Sequence, residues 1–228
     1  MDPLTLRPFV TLELIKEIIK MKLIIFGPPL AGKGTQAKLI AENLNIPHIS
    51  AGQLLRDAVE SGTTLGAVVG DFMAAGKLVP DNIIIQLINT RLENNDCKKG
   101  YILDGFPRTL VQAEKFHKDH QVDKVINITV DDGVLVNRIV GRRTCRDCGA
   151  VFHVESNPPR VENKCDLCGH ALHLRSDDRE DILMERLKTY HGETKPVLYF
   201  YRSMDVLIDI EGDQDIDEIY RTIMSKLK

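Results

Sequence analysis

The chain has 228 residues, of which 43% are apolar and 28% are charged, and its formal net charge is −3. A chain of this size can bury a full hydrophobic core, either as one domain with insertions or as two small domains. The slightly acidic balance disfavours a nucleic-acid or membrane-surface binding protein, and no apolar run approaches the roughly 18 residues of a membrane helix. These features predict a cytoplasmic protein.

Residues 1–20 precede the first predicted strand. They do not have the pattern of a secretory signal or a transit peptide, because Asp2, Glu13 and Glu17 interrupt the stretch. Two interpretations stay open. One is that the extension is not translated and the protein starts at Met21. The other is a short amphipathic helix, since apolar residues fall at helical spacing at Val10, Leu14, Ile15, Ile18 and Ile19.

A glycine-rich loop follows the first predicted strand. Residues 23–26 are an apolar run, residues 27–35 read GPPLAGKGT, and residues 36–44 have helical character. This order of strand, turn and helix matches the phosphate-loop pattern G-x-x-x-x-G-K. Backbone N–H groups of such a loop converge on one point, the helix adds its positive dipole end, and Lys33 adds a mobile charge. The loop indicates a bound nucleoside triphosphate; the alternative is an ordinary strand-to-helix turn.

Further strands alternate with helices along the rest of the chain. The predicted strands cover residues 46–50, 101–104, 125–130 and 206–210. Two short helices are predicted between residues 51 and 80, and a longer one from residue 81 to residue 92. This alternation predicts an α/β fold with a five-stranded parallel sheet that binds ligands at the carboxyl ends of its strands.

Asp104 is the last residue of one predicted strand. It therefore lies at the edge of the sheet where ligands bind. Hard cations prefer carboxylate oxygens, so Asp104 is suited to hold a magnesium ion through water. The alternative is a solvated turn residue.

Four of the five cysteines form two close pairs, Cys145 with Cys148 and Cys165 with Cys168. Their spacing is typical of zinc knuckles and of a reducing compartment. Four thiolates leave no open coordination position, so we predict a structural zinc site, with iron as the chemical alternative. The segment between Arg142 and Arg175 is too short to form a hydrophobic core of its own, so the metal would stabilise it in place of one. The fifth cysteine, Cys97, is interpreted as a small buried apolar residue.

Several motifs together resemble the adenylate kinases, a family of nucleoside monophosphate kinases. They are the phosphate loop, residues 50–56, the block DGFPR at residues 104–108 and the sequence GRR at residues 141–143. The resemblance runs from about residue 21 to the C-terminus, and the DGFPR block is highly specific. It implies magnesium-dependent, reversible transfer of the terminal phosphoryl group of ATP to AMP, giving two ADP. The enzyme implied is a monomer that binds neither nucleic acid nor membrane.

The resemblance also implies a domain organisation. The P-loop NTPase-like core, a parallel sheet flanked by helices, would comprise residues 21–49, 80–140 and 179–228. A helical insertion at residues 50–79 would cover the monophosphate, and a zinc-knuckle lid at residues 141–178 would cover the triphosphate. Both insertions would be mobile, with Gly141 and residues 176–178 as candidate hinges.

The site residues implied by the resemblance are rich in arginine. Phosphoryl transfer mainly requires in-line positioning and neutralisation of charge, and the arginine fork binds phosphate oxygens bidentately. The residues implied for ATP are Gly27, Pro29, Ala31, Gly32, Lys33, Gly34, Thr35, Arg138, Arg142 and Gln214. Those implied for AMP are Ala51, Arg56, Lys77, Val79, Gly105, Arg108, Gln112, Arg175 and Arg186. The catalytic set implied is Lys33, Arg108, Arg142, Arg175 and Arg186.

The resemblance assigns particular roles to some of these residues. Arg138 would lie under the adenine of ATP, and Gln112 would read the adenine of AMP. Asp177 and Asp178 would hold the arginines and the lid in register. These roles are expectations carried over from the family.

Three positions depart from the family pattern. Leu30 replaces a glycine of the loop, Ala51 replaces a threonine of many adenylate kinases, and Gln53 replaces an aspartate near the magnesium. Ala51 resembles the UMP/CMP kinases, whereas Gln112 favours AMP, and the neutral Gln53 predicts weaker magnesium binding. The alternatives are a UMP/CMP-type or GTP-using kinase and, in another class, a non-catalytic zinc-ribbon module that binds nucleic acid and uses the loop as a nucleotide switch.

Overall fold

The computed structural model describes residues 20–175 and 178–227. Along the chain its strands are β1 (Met21–Phe26), β2 (His48–Ser50), β3 (Gly100–Asp104), β4 (Lys124–Thr129), β5 (Arg142–Cys145), β6 (Val151–His153), β7 (Leu172–His173) and β8 (Leu207–Glu211). The centre is a five-stranded parallel sheet in the order β2-β3-β1-β4-β8. The predicted parallel sheet and its five strands are confirmed, with strand ends shifted by one or two residues.

Helices connect the strands. They are α1 (Lys33–Leu44), α2 (Ala51–Glu60), α3 (Thr64–Ala74), α4 (Asp81–Leu92), α5 (Leu110–Asp119), α6 (Asp132–Gly141), α7 (Glu180–Thr189), α8 (Val197–Arg202) and α9 (Ile216–Lys226). A 3-10 turn (Asn95–Lys99) precedes β3, and a π-helical turn (Tyr190–Thr194) follows α7. Side-chain caps begin several helices; for example, Ser50 accepts from the backbone N–H of Gln53 to cap α2, and Thr63 accepts from Gly66 to cap α3.

The sheet is buried on both faces because its central strand, β1, alternates between two cores. Leu23 and Ile25 face the first core, whereas Ile24 and Phe26 face the second. Helices α1, α6, α7 and α9 close the first core, and α4, α5 and α8 close the second. A parallel sheet covered in this way leaves the carboxyl ends of its strands open to a ligand.

A second sheet follows α6. It has three antiparallel strands in the order β6-β5-β7, and its buried residues are Cys145, Ala150, Phe152, Cys165 and Leu172. Two of these five are cysteines, so this small sheet has almost no apolar core of its own. Sequence analysis identified the cysteine pairs but missed the strands, which are two to four residues long and too short to show an alternating pattern.

Gly141 ends α6 and joins the main core to the small sheet. A Cβ atom at this position would overlap the imidazole ring of His153 on β6. Only glycine therefore allows His153 to pack against the junction. Gly141 stays a predicted hinge; Ser176 and Asp177, the other predicted hinge residues before Asp178, lie outside the described residues, as does the helix predicted before residue 20.

Candidate active site and four-cysteine centre

The loop between β1 and α1 contains two glycines with positive φ angles. Gly27 has φ of +147°, and Gly32, which precedes the first residue of α1, has φ of +86°. A Cβ atom on Gly27 would lie 2.6 Å from the carbonyl oxygen of Ile128 on β4, so only glycine allows this close approach. The loop is thereby held at the N-terminus of α1, where backbone N–H groups and the helix dipole favour an anion.

Leu30 takes a left-handed conformation in this loop, with φ of +66°. That conformation costs a residue with a Cβ atom about 1 kcal/mol or slightly more. Two contacts offset the cost: the Leu30 side chain packs on the first core, and its carbonyl oxygen accepts a hydrogen bond from Nη1 of Arg138 at 3.4 Å. The replacement of the usual glycine therefore leaves the turn of the loop in place.

Lys33 folds back over its own loop. Its Nζ donates to the carbonyl oxygens of Gly27 at 2.9 Å and Pro28 at 2.7 Å. These two acceptors hold the ammonium group at the mouth of the loop. A phosphate bound there would offer charged acceptors in their place.

Several charged side chains converge on Lys33. Burial lowers the pKa of Lys33 to about 8; Asp104 opposes this shift, whereas the positive charges of Arg108, Arg142 and Arg186 add to it. Three guanidinium groups and a single carboxylate thus act on the ammonium group of Lys33. Such a group of cations is suited to neutralise a highly charged anion.

Asp104 ends β3 beside the loop. Its carboxylate lies 3.4 Å from Nε2 of His48, the first residue of β2. Burial raises the pKa of Asp104, but the hydrogen bond from His48 and the charge of Lys33 outweigh it, so the pKa lies below its ordinary value. Asp104 is therefore an ionised carboxylate, as a magnesium site needs. Sequence analysis missed His48, because only the parallel pairing of β2 with β3 brings it close.

Two of the predicted arginines are anchored at the ends of the small sheet. Arg142 on β5 forms a bidentate ion pair with the buried Asp178: its Nε donates to Oδ2 at 2.7 Å, and its Nη2 donates to Oδ1. Arg175, beyond β7, donates from Nε to the hydroxyl oxygen of Thr144 at 3.1 Å. Asp177, predicted to act with Asp178, lies outside the described residues.

Arg108 and Gln112 lie at the turn that follows β3. The Nε of Arg108 donates to the carbonyl oxygen of Gly105 at 2.8 Å, and its backbone N–H donates to Oε1 of Gln112 at 2.7 Å. The Nε2 of Gln112 donates to Asp81 at 2.7 Å. Both ends of the buried Gln112 amide are thus held by the protein. The Oε1 of Gln112 keeps one lone pair and its Nε2 keeps one N–H, and both are available to a ligand.

Arg138 on α6 contacts both the phosphate loop and the turn after β8. Its Nη2 donates to the carbonyl oxygen of Gly212 at 3.1 Å and lies 3.6 Å from Asp213. Together with its contact to Leu30, this links the phosphate loop to the turn after β8, which also contains Gln214.

One cavity of about 1800 Å³ connects the phosphate loop, Asp104 and the predicted arginines. The predicted residues that line it are Gly27, Pro29, Gly32, Lys33, Gly34, Thr35, Ala51, Arg56, Lys77, Val79, Asp104, Gly105, Arg108, Gln112, Arg138, Arg142, Arg175, Arg186 and Gln214. Ala31 is different, because its side chain is buried in the first core and its N–H donates to Pro28 at 3.2 Å. Sequence analysis missed Val151, Phe152 and His153, which line the cavity from the unpredicted strand β6.

The four paired cysteines come together in the small sheet. Their sulfur atoms all lie within 4.8 Å of one another, with 3.4 Å between Cys145 and Cys168 and 3.5 Å between Cys148 and Cys165. In a tetrahedral zinc site with four thiolates the sulfurs are about 3.8 Å apart. The cluster therefore fits a closed four-thiolate metal centre. Cys97 is separate from it and buried in the second core, as predicted.

Comparisons with known proteins agree with this geometry. A family model described as adenylate kinase matches residues 25–206. The chain belongs to the adenylate kinase family. The adenylate kinase of Methanocella arvoryzae is 47% identical over 213 residues, which cover 91% of this chain and 99% of that protein. The adenylate kinases of Archaeoglobus fulgidus and Clostridioides difficile are each 46% identical and cover 91% of this chain and 98% of their own length.

Within the adenylate kinase family, the four-cysteine cluster fits the form with a zinc-bearing lid. Over the part of the chain that the structure describes, no helix has both the length and the apolar character needed to span a membrane.

Proposed function

We propose that this chain is an ATP:AMP phosphotransferase, which transfers the terminal phosphoryl group of ATP to AMP and runs equally in reverse from two ADP. The observation that supports this best is the convergence of Lys33, Asp104, Arg108, Arg142 and Arg186 in one cavity at the carboxyl edge of the sheet. The relatives named adenylate kinase support the same activity.

The phosphate loop forms the donor half of the proposed site. Its backbone N–H groups and the N-terminus of α1 bind the phosphates of ATP. Lys33 leaves the carbonyl oxygens of Gly27 and Pro28 to bind the outer phosphates. The ATP base lies against Arg138, near Gln214, where the loop meets the turn after β8.

The acceptor half of the proposed site lies across the cavity, between the helical insertion and the turn after β3. Arg56 and Arg108 bind the monophosphate, because arginine forks match phosphate oxygens. Gln112 recognises the adenine of AMP with its remaining lone pair and N–H. The residues proposed to line this pocket are Ala51, Lys77, Val79 and Gly105.

Transfer itself requires alignment and charge neutralisation. The acceptor oxygen of AMP is already anionic, so no side chain need remove a proton before it attacks the terminal phosphorus of ATP. The bond from that phosphorus to the β,γ-bridging oxygen breaks as the new bond forms, and ADP leaves. Arg142, Arg175 and Arg186 stabilise the charge that spreads over the moving group, and Asp178 holds the fork of Arg142 in position.

We further propose two mobile covers on a fixed core. The helical insertion at residues 50–79 covers the acceptor and the lid at residues 141–178 covers the donor, over a core of residues 21–49, 80–140 and 179–228. Closure of both would exclude water, which otherwise competes with AMP for the phosphoryl group.

Two metals belong to this proposal. Magnesium bound with ATP would neutralise phosphate charge, and Asp104 is suited to hold it through water. Zinc is proposed for the four cysteines, where it would replace the missing core of the lid.

A single copy of the chain contributes every group assigned here, so we propose that a monomer suffices. The four clustered thiols require a reducing compartment to stay metal-bound, which supports the cytoplasm.

The proposed activity is tested by incubating the protein with ATP and magnesium and with AMP, UMP, CMP or GMP in turn. We expect AMP to be the preferred acceptor and ADP to be the sole nucleotide product. Preference for UMP or CMP would contradict the assignment of AMP as acceptor. It would indicate that Ala51, rather than Gln112, predicts the acceptor. Transfer to no monophosphate would contradict the proposed function.

ATP binding is expected to weaken above pH 8. Without nucleotide the pKa of Lys33 is about 8, below the ordinary 10.5, and bound phosphates raise it again. Below pH 8 Lys33 is charged before and after binding, so its contribution to ATP affinity does not change with pH. Above this pH a proton must bind together with ATP, so the dissociation constant rises by up to about tenfold per pH unit.

Titration calorimetry measures this proton uptake. At about pH 9, where the phosphates of ATP are already ionised, two buffers of different ionisation enthalpy should give different apparent enthalpies. Lys33→Met should remove the difference. A wild-type protein that binds ATP at this pH without proton uptake would contradict the low pKa of Lys33.

A further inference from the structure

The side chain of Gln53 holds Arg56 in the helical insertion. Both residues lie in the first two turns of α2. The Oε1 of Gln53 accepts two hydrogen bonds from the guanidinium of Arg56, from Nε at 3.1 Å and from Nη2 at 2.8 Å. Because one oxygen binds two atoms of the planar fork, the orientation of the guanidinium is fixed along the helix.

A third residue fixes the orientation of the amide itself. The Nε2 of Gln53 donates to Oδ1 of Asp57 at 2.7 Å. The guanidinium of Arg56 only donates hydrogen bonds, so the oxygen of the amide faces Arg56 and its NH₂ group faces Asp57. The chain Asp57–Gln53–Arg56 is therefore ordered in one direction.

Arg56 belongs to the charged cavity. It lines the cavity together with Gln53. Burial and the charge of Arg186 lower the pKa of Arg108, Asp104 raises it, and the positive charge of Arg56 lowers it by a smaller amount. Arg56 and Arg108 thus line the same cavity, and both bring positive charge to it.

We propose that Gln53 is a positioning residue for the acceptor monophosphate, acting through Arg56; this inference rests on the proposed function. A neutral acceptor orients the guanidinium without neutralising it, so the full charge stays available to the phosphate. A carboxylate at position 53 would form an ion pair with Arg56, and AMP would have to displace it. On this view, having Gln53 in place of the family's aspartate strengthens AMP binding.

The test compares AMP binding by wild type, Gln53→Ala and Gln53→Glu, measured by titration calorimetry without ATP or magnesium. Two hydrogen bonds to a charged but solvent-accessible group are lost in Gln53→Ala, so we expect its AMP dissociation constant to rise about 3- to 10-fold. Gln53→Glu keeps the size of the side chain and adds the competing charge, so its loss should be larger. ATP affinity should stay unchanged in both variants.

A matched control is Gln86→Ala, which removes an exposed glutamine on α4 outside the cavity lining and should bind AMP as wild type does. Kinetics add a second readout: KM for AMP should rise in the two Gln53 variants with kcat nearly constant. Asp57→Ala should weaken AMP binding in the wild-type background but have no further effect in Gln53→Ala, because the two residues act as one unit.

The outcomes separate the two proposals. A wild-type protein that binds ATP but not AMP overturns the proposed function. If wild type binds AMP and Gln53→Ala and Gln53→Glu bind it equally well, the positioning role of Gln53 is overturned. The same conclusion follows if the Gln53 variants change only the magnesium dependence of the reaction, since Gln53 would then act on the metal side.

Discussion

Replacing Lys33 by methionine is expected to lower kcat/KM for ATP by about 10²- to 10³-fold, the loss typical of one preorganised donor to developing charge. Methionine retains the apolar stem but has no ammonium group to leave the carbonyl oxygens of Gly27 and Pro28 for the phosphates. Steady-state ADP formation at saturating AMP measures the loss.

Lys118→Met is the matched control. Lys118 is an exposed lysine on α5 outside the cavity lining, so its replacement should leave kcat/KM unchanged. Circular dichroism should show that both variants keep the wild-type fold. A Lys33→Met enzyme that retained more than about a tenth of the wild-type value would contradict the assigned role of Lys33.

Removal of the metal from the four-cysteine centre is expected to unfold the small sheet while leaving the main sheet intact. Structural zinc contributes about 10–16 kcal/mol to the folding of isolated zinc peptides, and here the apolar residues buried with the cysteines of the small sheet are Ala150, Phe152 and Leu172. Backbone amides of β5, β6 and β7 should therefore lose hydrogen-exchange protection after chelation, whereas those of β1, β3 and β4 should keep it.

Chelation should also lower the rate of phosphoryl transfer by at least about 100-fold, because Arg142 and Arg175 are anchored at the two ends of the small sheet that unfolds. Cys148→Ser combined with Cys165→Ser should reproduce the effect, and Cys97→Ser, in the second core, should not. Elemental analysis of the untreated protein distinguishes zinc from iron. Retained protection of β5–β7 in verified metal-free protein would contradict a structural metal.

The parallel sheet was predictable because most of its strands, such as β1 and β4, are rich in apolar residues and alternate along the chain with helical segments. The existence of the strands and the phosphate loop followed from local signals of this kind, whereas the strand ends were shifted by one or two residues. The cysteine cluster was also predictable, since the spacing of its two pairs is typical of a metal site. These features depend on residues that are close in the sequence.

The features that could not be predicted depend on contacts between residues that are distant in the sequence. The pair of His48 with Asp104 arises from the pairing of β2 with β3, and the strands of the small sheet are held by antiparallel partners and by cysteines rather than by an alternating pattern. The contact between Gln53 and Arg56 is local, since the two residues are three positions apart on one helix. It was missed because Gln53 was interpreted only as the replacement of an aspartate near the magnesium.

The two outer strands of the parallel sheet affect how the protein avoids self-association. One edge, β2, has only three residues. The other, β8, exposes Asp209 and Glu211, and Asp209 is held at 2.7 Å by both Asn127 and Arg202. A free strand edge can pair with another chain, but short length and fixed negative charge make these edges poor templates. The apolar central strands are thus kept inside the sheet, and both of its edges disfavour strand-by-strand growth into fibrils.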